Sequence, residues 1–379
     1  MHKKLLSKLI IIFICSSILT SCWDQVEIDD RLFITNMGFD KPTEEEAQDP
    51  LNRYKITVGF RNQSGGMGTD PEVGNVTLST VTTDMYTAER LLATRTNKSL
   101  FFGHLKVMLI GEEVARDELL FREVLDAVER NPIMSRKVSI GIVEGPASDA
   151  LELEPKLEGN VGMFLADIFR RKDRTQKAPL IDLGEALITL HENGSALIPR
   201  IIPSSEEIKV AGAAVIKDYK MVGWLSATES NDITIANGQI QFITFAVPHM
   251  DQVVPLTITD GESSYEYVET ENERKMIINI EMEGDVEMFY LNAKEDILDP
   301  TFLTVIQDHA SKIIKESMEG TVKKLQSEFN VDVLGFDRYL EKYKPRVWRE
   351  IKGDWNEIFP TLTVEVNVET KLRRVGLSK

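Results

Sequence analysis

In the first half of the chain, short apolar alternations are followed by longer stretches with helical spacing. Residues 54–60 alternate apolar and polar side chains with period two, as a half-buried strand does. Leu120, Val124 and Val128 form the stripe of a helix, which ends before Pro132 because proline cannot continue the hydrogen-bond ladder. We predict strands at 32–39, 54–60, 105–110 and 137–143, and helices at 84–95, 114–130, 146–153, 161–171 and 183–192. This alternation indicates an α/β layer with a βαβ unit, and the first module ends near residue 203.

The second half is richer in strand patterns and closes with helices. Predicted strands lie at 211–217, 221–225, 240–247, 276–282 and 362–368. Asp299 and Pro300 open a helix that runs to Phe329, with aspartate as its cap and proline in its first turn. A shorter helix carries Trp348 and Trp355, which we interpret as core residues rather than a ligand box. The simplest closure is an antiparallel sheet covered on one side by helices.

These patterns together predict an α+β fold. The chain is expected to be a mixed α/β, multi-domain protein, with a helix-rich N-terminal half and an antiparallel sheet with long helices in the C-terminal half. The predicted boundaries are a leader at 1–21, an N-terminal domain at 22–205 and a C-terminal domain at 206–379. An apolar share of 42% is ordinary for a globular protein with a buried core.

The leader has the pattern of a bacterial lipoprotein signal. A basic tip with three lysines precedes an apolar run at 9–19, which is too short to cross a bilayer. Leu19, Thr20 and Ser21 then precede Cys22, so we predict cleavage between Ser21 and Cys22 and a diacylglyceryl group on the Cys22 sulfur, with N-acylation of the new terminus compatible with the signal. Two acyl chains suffice for stable anchoring. A plain secretory signal and an uncleaved signal anchor are the alternatives, and either would leave Cys22 unmodified.

Charge and cysteine content narrow the classes of partner. The formal net charge is −17, and the leader holds three lysines and no acidic residue, which takes the mature chain to −20. Nucleic acid is therefore excluded as a partner, because its binding depends on basic phosphate contacts. Cys15 leaves with the leader and Cys22 carries lipid, so no disulfide or cysteine-based zinc site is expected.

Motifs for catalysis or for metal binding are not found in the sequence. The five histidines are too far apart for a short-range zinc pair, and the glycine-rich stretch 64–68 lacks the lysine and the helix of a phosphate loop. We therefore predict no catalytic, cofactor-binding or metal-binding residue. The basic run at 169–174 caps a predicted helix, with docking to headgroups or to an acidic partner as the alternative.

Several short motifs stand out along the chain. They are Leu19-Thr20-Ser21-Cys22 followed by Trp23-Asp24 and Glu27-Ile28, Asn131-Pro132, Gly212-Ala213-Ala214-Val215 with Gly223-Trp224-Leu225, and Trp355 to Phe359 before a valine-rich strand. On these motifs the whole chain resembles the C-subunit lipoproteins of bacterial spore germinant receptors, the Ger(x)C family.

The resemblance implies a non-enzymatic subunit that is lipid-anchored through Cys22 on the outer face of the spore inner membrane. Its implied partners are two integral membrane subunits of a receptor for nutrients. It also implies a mixed α/β fold of three small domains, in which residues 22–40 fold back against residues 211–247. The alternatives are a solute-binding lipoprotein that captures the germinant directly and an exported hydrolase.

Overall fold

The structure, a computed structural model, describes residues 27–47, 49–61, 74–155, 158–171, 177–205, 207–240, 242–249, 252–271, 273–287 and 300–375. Nine strands form the first sheet: β1 (Arg31–Asp40), β2 (Tyr54–Arg61), β3 (Asn75–Thr82), β4 (Ser99–Phe101), β5 (Val107–Gly111), β6 (Ser139–Val143), β7 (Ser195–Pro203), β8 (Ile208–Lys217) and β9 (Lys220–Leu225). Its helices are α1 (Met85–Ala93), α2 (Glu112–Ala115), α3 (Glu118–Glu129), α4 (Ala147–Leu151), α5 (Val161–Arg170) and α6 (Leu183–Asn193).

The first sheet has a parallel centre and antiparallel flanks. The strand order is β3-β2-β1-β5-β6-β7-β8-β9, with β4 beside the start of β1. Strands β1, β5, β6 and β7 run parallel to their neighbours in this series, whereas β2, β3, β8 and β9 pair antiparallel. The predicted βαβ unit is present as β5, α3 and β6, because parallel neighbours need a crossover that a helix supplies.

Helices cover both faces of this sheet. Met108 and Ile110 of β5 join the core under α1, α3 and α6, while Val107 and Leu109 point into a second cluster under α4 and α5. All four side chains are fully buried, as expected for a parallel strand between two helical layers.

The second sheet contains β10 (Ile243–His249), β11 (Gln252–Glu269), β12 (Arg274–Val286) and β13 (Thr363–Val375), in that order. Between β9 and β10 lies α7 (Ala227–Ala236), and between β12 and β13 lie α8 (Pro300–Lys324), α9 (Phe336–Tyr343), α10 (Pro345–Ile351) and α11 (Trp355–Ile358). A π-helical turn at Leu325–Phe329 follows α8. The fold class is confirmed, with one refinement: β13 pairs parallel to β12, because the intervening helices return the chain to the same end of the sheet.

Residues 22–40 are predicted to fold back beside residues 211–247. This placement is wrong, because β1 is not a neighbour of the strands formed by residues 208–225. Strand β1 pairs with β2, β4 and β5, and three strands separate it from β8 in the same sheet. Residues 22–26 lie outside the described part of the chain. The hairpin β8–β9 instead extends the first sheet at its far side, where β8 pairs with β7.

The β8–β9 hairpin joins the two halves of the molecule. Ala214 and Ile216 belong to the core of the first sheet, whereas Ala213 and Val215 belong to the core that the second sheet forms with α7 and α8. Gly212 has φ +83, and a Cβ there would lie 2.3 Å from the carbonyl oxygen of Leu225. This glycine therefore permits the close approach that a side chain would block.

Asp232 is a buried carboxyl group between α7 and α8. It is 3% exposed and accepts hydrogen bonds from Ser317 Oγ at 2.8 Å and Thr321 Oγ1 at 2.6 Å. Burial raises its pKa from 3.8 to about 6, against the lowering effect of the two hydroxyl groups. Between these two pKa values the folded protein holds a proton that the unfolded chain has lost.

We therefore expect the free energy of unfolding to fall as pH rises from about 4 to about 6, and the contribution of Asp232 to stay constant above that. The pKa difference corresponds to roughly 3 kcal/mol. Asp232→Asn should remove this dependence and raise the free energy of unfolding at pH 7.5 by roughly 1–3 kcal/mol, with little change at pH 4. Urea denaturation at pH 4 and at pH 7.5 measures the free energy of unfolding of both proteins. Asp308→Asn, at an exposed position of α8, should keep the wild-type pH dependence; a less stable Asp232→Asn protein at pH 7.5 would contradict the assignment.

Candidate functional site

The chain enters the described fold close to the predicted lipidation site. Cys22 itself lies outside the described residues, and so do Trp23 and Asp24. The first described residue is Glu27, followed by a short helical turn at Ile28–Asp30 and then β1. Five residues span at most about 18 Å, so the side of the fold that carries Glu27 lies within that distance of position 22.

Several segments share that side. Arg31 pairs with Ser99, the Lys106 amide donates to the Thr35 carbonyl, and the Ser139 amide donates to the Lys106 carbonyl. Since β1, β5 and β6 are parallel, they start in the same half of the sheet, with Val107 and Ser139 level with Asn36, five residues beyond the first residue of β1. We call residues 27–31, 97–106, 135–139 and 169–171 the N-terminal edge.

An aromatic cluster holds the first residues of β1 at this edge. Phe33 packs edge-on against Phe101 at 5.7 Å between ring centres and against the ring of His104 at 4.8 Å. The guanidinium of Arg31 lies 4.6 Å from the centre of the Phe101 ring, a cation–π contact. Ile28, by contrast, is 75% exposed. The edge is thus fixed in place by aromatic packing while its outermost residue faces solvent.

Part of the basic run lies at this edge. Arg170 is the last residue of α5 and forms an ion pair with Asp167 at 2.9 Å. Residues 172–174 lie outside the described part. Beside Arg170 is a groove of about 380 Å³, which Lys106 and Lys137 also line. The Lys137 ammonium donates to Asp182 at 3.0 Å, and its side chain is 85% exposed.

The glycine-rich stretch 64–68 also lies outside the described residues, but its two ends are defined. Phe60 of β2 pairs with Ile34 near the start of β1, and Arg61 pairs with Asn75, the first residue of β3. Because β2 runs antiparallel to β1, the chain leaves and rejoins the sheet on the half that carries the N-terminal edge.

A buried network of polar side chains ties β1 to α5 and β3. Asn160 accepts hydrogen bonds from the Thr35 hydroxyl and the Met163 amide, both at 3.1 Å, and donates to Asn75 at 3.1 Å. Asn75 in turn donates to the Leu151 carbonyl. None of these side chains is among the residues predicted from the sequence, although an asparagine directly before the apolar helix that starts at Val161 is a recognisable N-cap signal.

A cleft of about 730 Å³ lies between the two sheets. Thr189 and Ser195 line it from the first half of the chain, and Asn237, Asp260 and Arg338 line it from the second. Its mixed polar lining could hydrogen-bond a small polar molecule.

The floor of this cleft includes Asp332. Its carboxylate accepts hydrogen bonds from the amides of Gly335, Phe336 and Asp337 at 2.9–3.3 Å. Burial raises the pKa of Asp332, and the neighbouring Asp337 carboxyl raises it further. These contacts fix the loop before α9, and so position Arg338 at the wall of the cleft.

The histidines and tryptophans singled out by sequence have packing partners. His191 lies 3.8 Å from Glu129, and the rings of His249 and His309 are 6.4 Å apart. Trp348 and Trp355 lie on two successive helices, α10 and α11, and not on one helix as predicted. Their rings meet edge-on at 5.5 Å, and both residues are half-buried against the core of the second sheet, which agrees with a packing role. Within the described ranges, the side chains form no cluster of three or more histidine, cysteine, aspartate or glutamate residues that could hold a metal ion.

None of the helices in the described part of the chain combines the length and the apolar character needed to cross a membrane.

Comparison with known proteins covers nearly the whole chain. The family model "Spore germination protein N-terminal domain" matches residues 24–203, and "Spore germination B3/ GerAC like, C-terminal" matches residues 211–376. Spore germination protein YndF of Bacillus subtilis (strain 168) is 24% identical and covers 100% of this chain and 98% of its own length. Spore germination protein B3 of the same strain is 23% identical, with 98% of this chain and 99% of its own length covered.

A solved structure has the same fold. The crystal structure of the GerBC protein superposes with a TM-score of 0.60 at 18% identity, covering 89% of this chain and 96% of that chain. At this identity the likeness concerns the fold alone. Both halves of the chain match the family models, and the residues that carried the resemblance lie within the matched ranges, apart from Leu19 to Trp23. The chain therefore belongs to the GerAC-like family of spore germination proteins, the C-subunit type of the germinant receptors.

Proposed function

We propose that this protein is a lipid-anchored, non-enzymatic subunit of a nutrient germinant receptor, needed for the germination response of spores to nutrients. The observation that carries the proposal is the match of both family models, which together extend from residue 24 to residue 376. The lipoprotein signal that ends at Cys22 adds the mode of attachment. Its place is the outer face of the spore inner membrane.

The role is binding rather than catalysis. The buried carboxyl groups of Asp40 and Asp232 bond to helix amides and to helix hydroxyls, and so serve the fold. An acidic body on a short tether can interact sideways with proteins embedded in the same membrane, because the N-terminal edge starts within about 18 Å of Cys22. The partners are two integral membrane subunits of the receptor.

Direct capture of the germinant is the second candidate. It is favoured by the cleft between the two sheets, where Asp260 and Arg338 offer charges of both signs. A zwitterionic solute such as an amino acid would match such a lining. In this case the protein would bind its ligand without a membrane partner.

Affinity purification from crosslinked spore membranes tests the proposal. The full-length protein, tagged at its C-terminus, should bring down two integral membrane proteins in comparable amounts, and these should be absent from a purification with an unrelated tagged lipoprotein of the same membrane. Mass spectrometry of the eluate identifies them.

Recovery of the lipoprotein alone, under conditions that preserve other membrane complexes, would contradict the receptor role. Saturable binding of the nutrient to that purified protein would then support capture in the cleft. If the two subunits are recovered, a variant with Arg338→Ala should recover them equally well, because Arg338 lies in the cleft and not on the N-terminal edge.

A further inference from the structure

We propose that the groove at the N-terminal edge binds the headgroup of an anionic phospholipid and so holds the body of the protein in one orientation on the membrane. This inference rests on the proposed anchor at Cys22. It adds a second, electrostatic contact to the covalent lipid, and it selects, for Arg170, the headgroup alternative to the helix cap and joins Lys106 and Lys137 to it.

The position of the groove follows from the tether and the topology. Glu27 lies within about 18 Å of position 22, and β5 and β6 start level with Asn36 of β1, in the half of the sheet that the chain enters at Arg31. Lys106 directly precedes β5, and Lys137 lies two residues before β6. A lipid on Cys22 therefore turns this half of the sheet, and the groove in it, toward the membrane surface.

The lining matches a phosphodiester group with its glycerol backbone. Lys106, Lys137 and Arg170 line the groove together with Ser135 and Ser139. One carboxylate, Asp182, lines it as well and accepts a hydrogen bond from Lys137, so the cations exceed the carboxylates by two. Its apolar part includes Phe169, which is 3% exposed and so belongs to the wall of the groove. Three cations and hydroxyl donors suit phosphate oxygens, and an apolar wall suits the adjoining glycerol carbons.

The cations stay available at the surface. The side chains of Lys137 and Arg170 are 85% and 72% exposed, although each forms an ion pair with a carboxylate beside it. Exposed ion pairs are weak, so a phosphate can share or replace these partners. Lys106 is exposed and has no ion-pair partner among the described residues.

The rest of the surface disfavours such contact. The mature chain carries a formal charge of −20. Glu27 and Asp30 line a shallow pocket with Lys98 in another part of the N-terminal edge, and Asp29 lies in the same turn. An anionic membrane repels these acidic residues and attracts the groove. The two effects together tilt the body so that the groove side, rather than the turn at Ile28–Asp30, faces the headgroups.

We assign the groove to lipid headgroups because the tether holds it close to the membrane surface, where phosphate groups are dense. Each basic residue near an anionic surface strengthens binding by about fivefold, so three give about a hundredfold before the ion pairs are counted. The attraction acts only within a Debye length, about 10 Å at 0.1 M salt.

The test uses the full-length lipidated protein in vesicles. Ile133→Cys places a label two residues before Ser135 of the groove, at a position that is 54% exposed and not part of the lining. Fluorescence quenching by a headgroup-labelled lipid should be several times stronger in vesicles with 30% phosphatidylglycerol than in phosphatidylcholine vesicles. Raising the salt to 0.5 M should remove the difference.

A charge-matched pair of variants isolates the groove. Lys106→Glu, Lys137→Glu and Arg170→Glu combined should abolish the dependence on phosphatidylglycerol. The same reversal at Lys209, Lys220 and Lys352, all exposed and away from the groove, should leave the dependence in place. The net charge changes equally in both variants, so the comparison separates a local site from the overall field.

Three results would overturn the proposed headgroup site. The first is equal quenching in neutral and anionic vesicles, and the second is an equal loss of the phosphatidylglycerol dependence in the two triple variants. The third is displacement of the label from the vesicle surface by millimolar glycerol phosphate, which would indicate a site for soluble phosphates. Flotation of the protein with the vesicles tests the anchor separately. Protein that does not float contradicts the proposed function, whereas protein that floats without headgroup dependence contradicts the groove alone.

Discussion

Cys22→Ala is expected to abolish lipid attachment and to release the protein from the spore membrane fraction. The thiol of Cys22 is the acceptor of the diacylglyceryl group in the proposed anchor, and alanine has no sulfur to accept it. Each buried methylene contributes about 0.8 kcal/mol, so two acyl chains hold the protein stably, whereas the acidic body is repelled by anionic headgroups. Uptake of an alkyne fatty acid and partition into a detergent phase measure the effect. The germination response of the spores to nutrients should be lost together with the membrane attachment.

The chain offers a matched control in Cys15→Ala. Cys15 lies inside the apolar run of the leader, so this variant also removes one thiol but keeps the acceptor at Cys22. It should be labelled, cleaved and retained as the wild type is. The run at 9–19 would be about 16 Å long as a helix, about half of the hydrocarbon core of a bilayer, so an uncleaved precursor has no adequate span. Fatty-acid labelling of Cys22→Ala, or unchanged detergent partition, would contradict the anchor.

The elements that sequence predicts best are those whose burial pattern is set locally. Strand β5 overlaps the predicted range 105–110, and helix α3 lies within the predicted range 114–130. The single helix predicted there is divided, because Asp117 caps α3 after α2 has ended at Ala115. The long helix begins at Pro300, in the predicted first turn, and its π-helical turn ends at Phe329. In these segments the residues that face the core are spaced by the helix or strand itself, so one segment suffices to recognise them.

The missed elements depend on partners far along the chain. Strand β7 contains Pro199 and Pro203, which argue against a strand, yet its pairing with β6 is confined to Arg200 and Ile201, and a bulge follows Pro199 on the β8 side. Helix α7 is rich in Ser, Thr and Asn, and its stability comes from burial of Ile233 and Ala236 in the core of the second sheet. Its capping box, Ser226 with Glu229, was the sequence signal that could have revealed it.

The candidate surface could be predicted in parts but not as a whole. The lipoprotein signal, the glycine-rich stretch and the basic run are visible in sequence, yet they are separated by up to about 150 residues. Only the pairing of β1 with β2 and with β5 brings the chain entry at Glu27, the ends at Arg61 and Asn75, and Arg170 to the same half of the first sheet. Sequence separation hides such proximity, because strand order is set by non-local pairing.

Asp40→Ala is expected to lower the free energy of unfolding by roughly 3–4 kcal/mol. Asp40 ends β1, is 4% exposed, and accepts hydrogen bonds from the amides of Ala147 at 2.5 Å and Ser148 at 2.8 Å. These amides begin α4, whose N-cap Pro146 has no side chain that could accept from them. Alanine would leave two buried donors without partners and a gap beside Gly111. Urea denaturation at pH 7.5 gives the value.

Two further variants separate the contribution of the helix cap to the free energy of unfolding from the contributions of charge and side-chain volume. Asp40→Asn keeps the size and one acceptor oxygen, so it should cost only about half as much as alanine. Asp149→Ala removes an exposed carboxylate from the first turn of the same helix and should change the free energy of unfolding by no more than about 0.5 kcal/mol. A loss for Asp40→Ala no larger than that for Asp149→Ala would refute the cap. If the expected loss is observed, the Asp40 carboxylate joins the last residue of β1 to helix α4. Since α4 and α5 share one apolar cluster, this carboxylate also ties β1 to the helix that ends at Arg170, beside the groove.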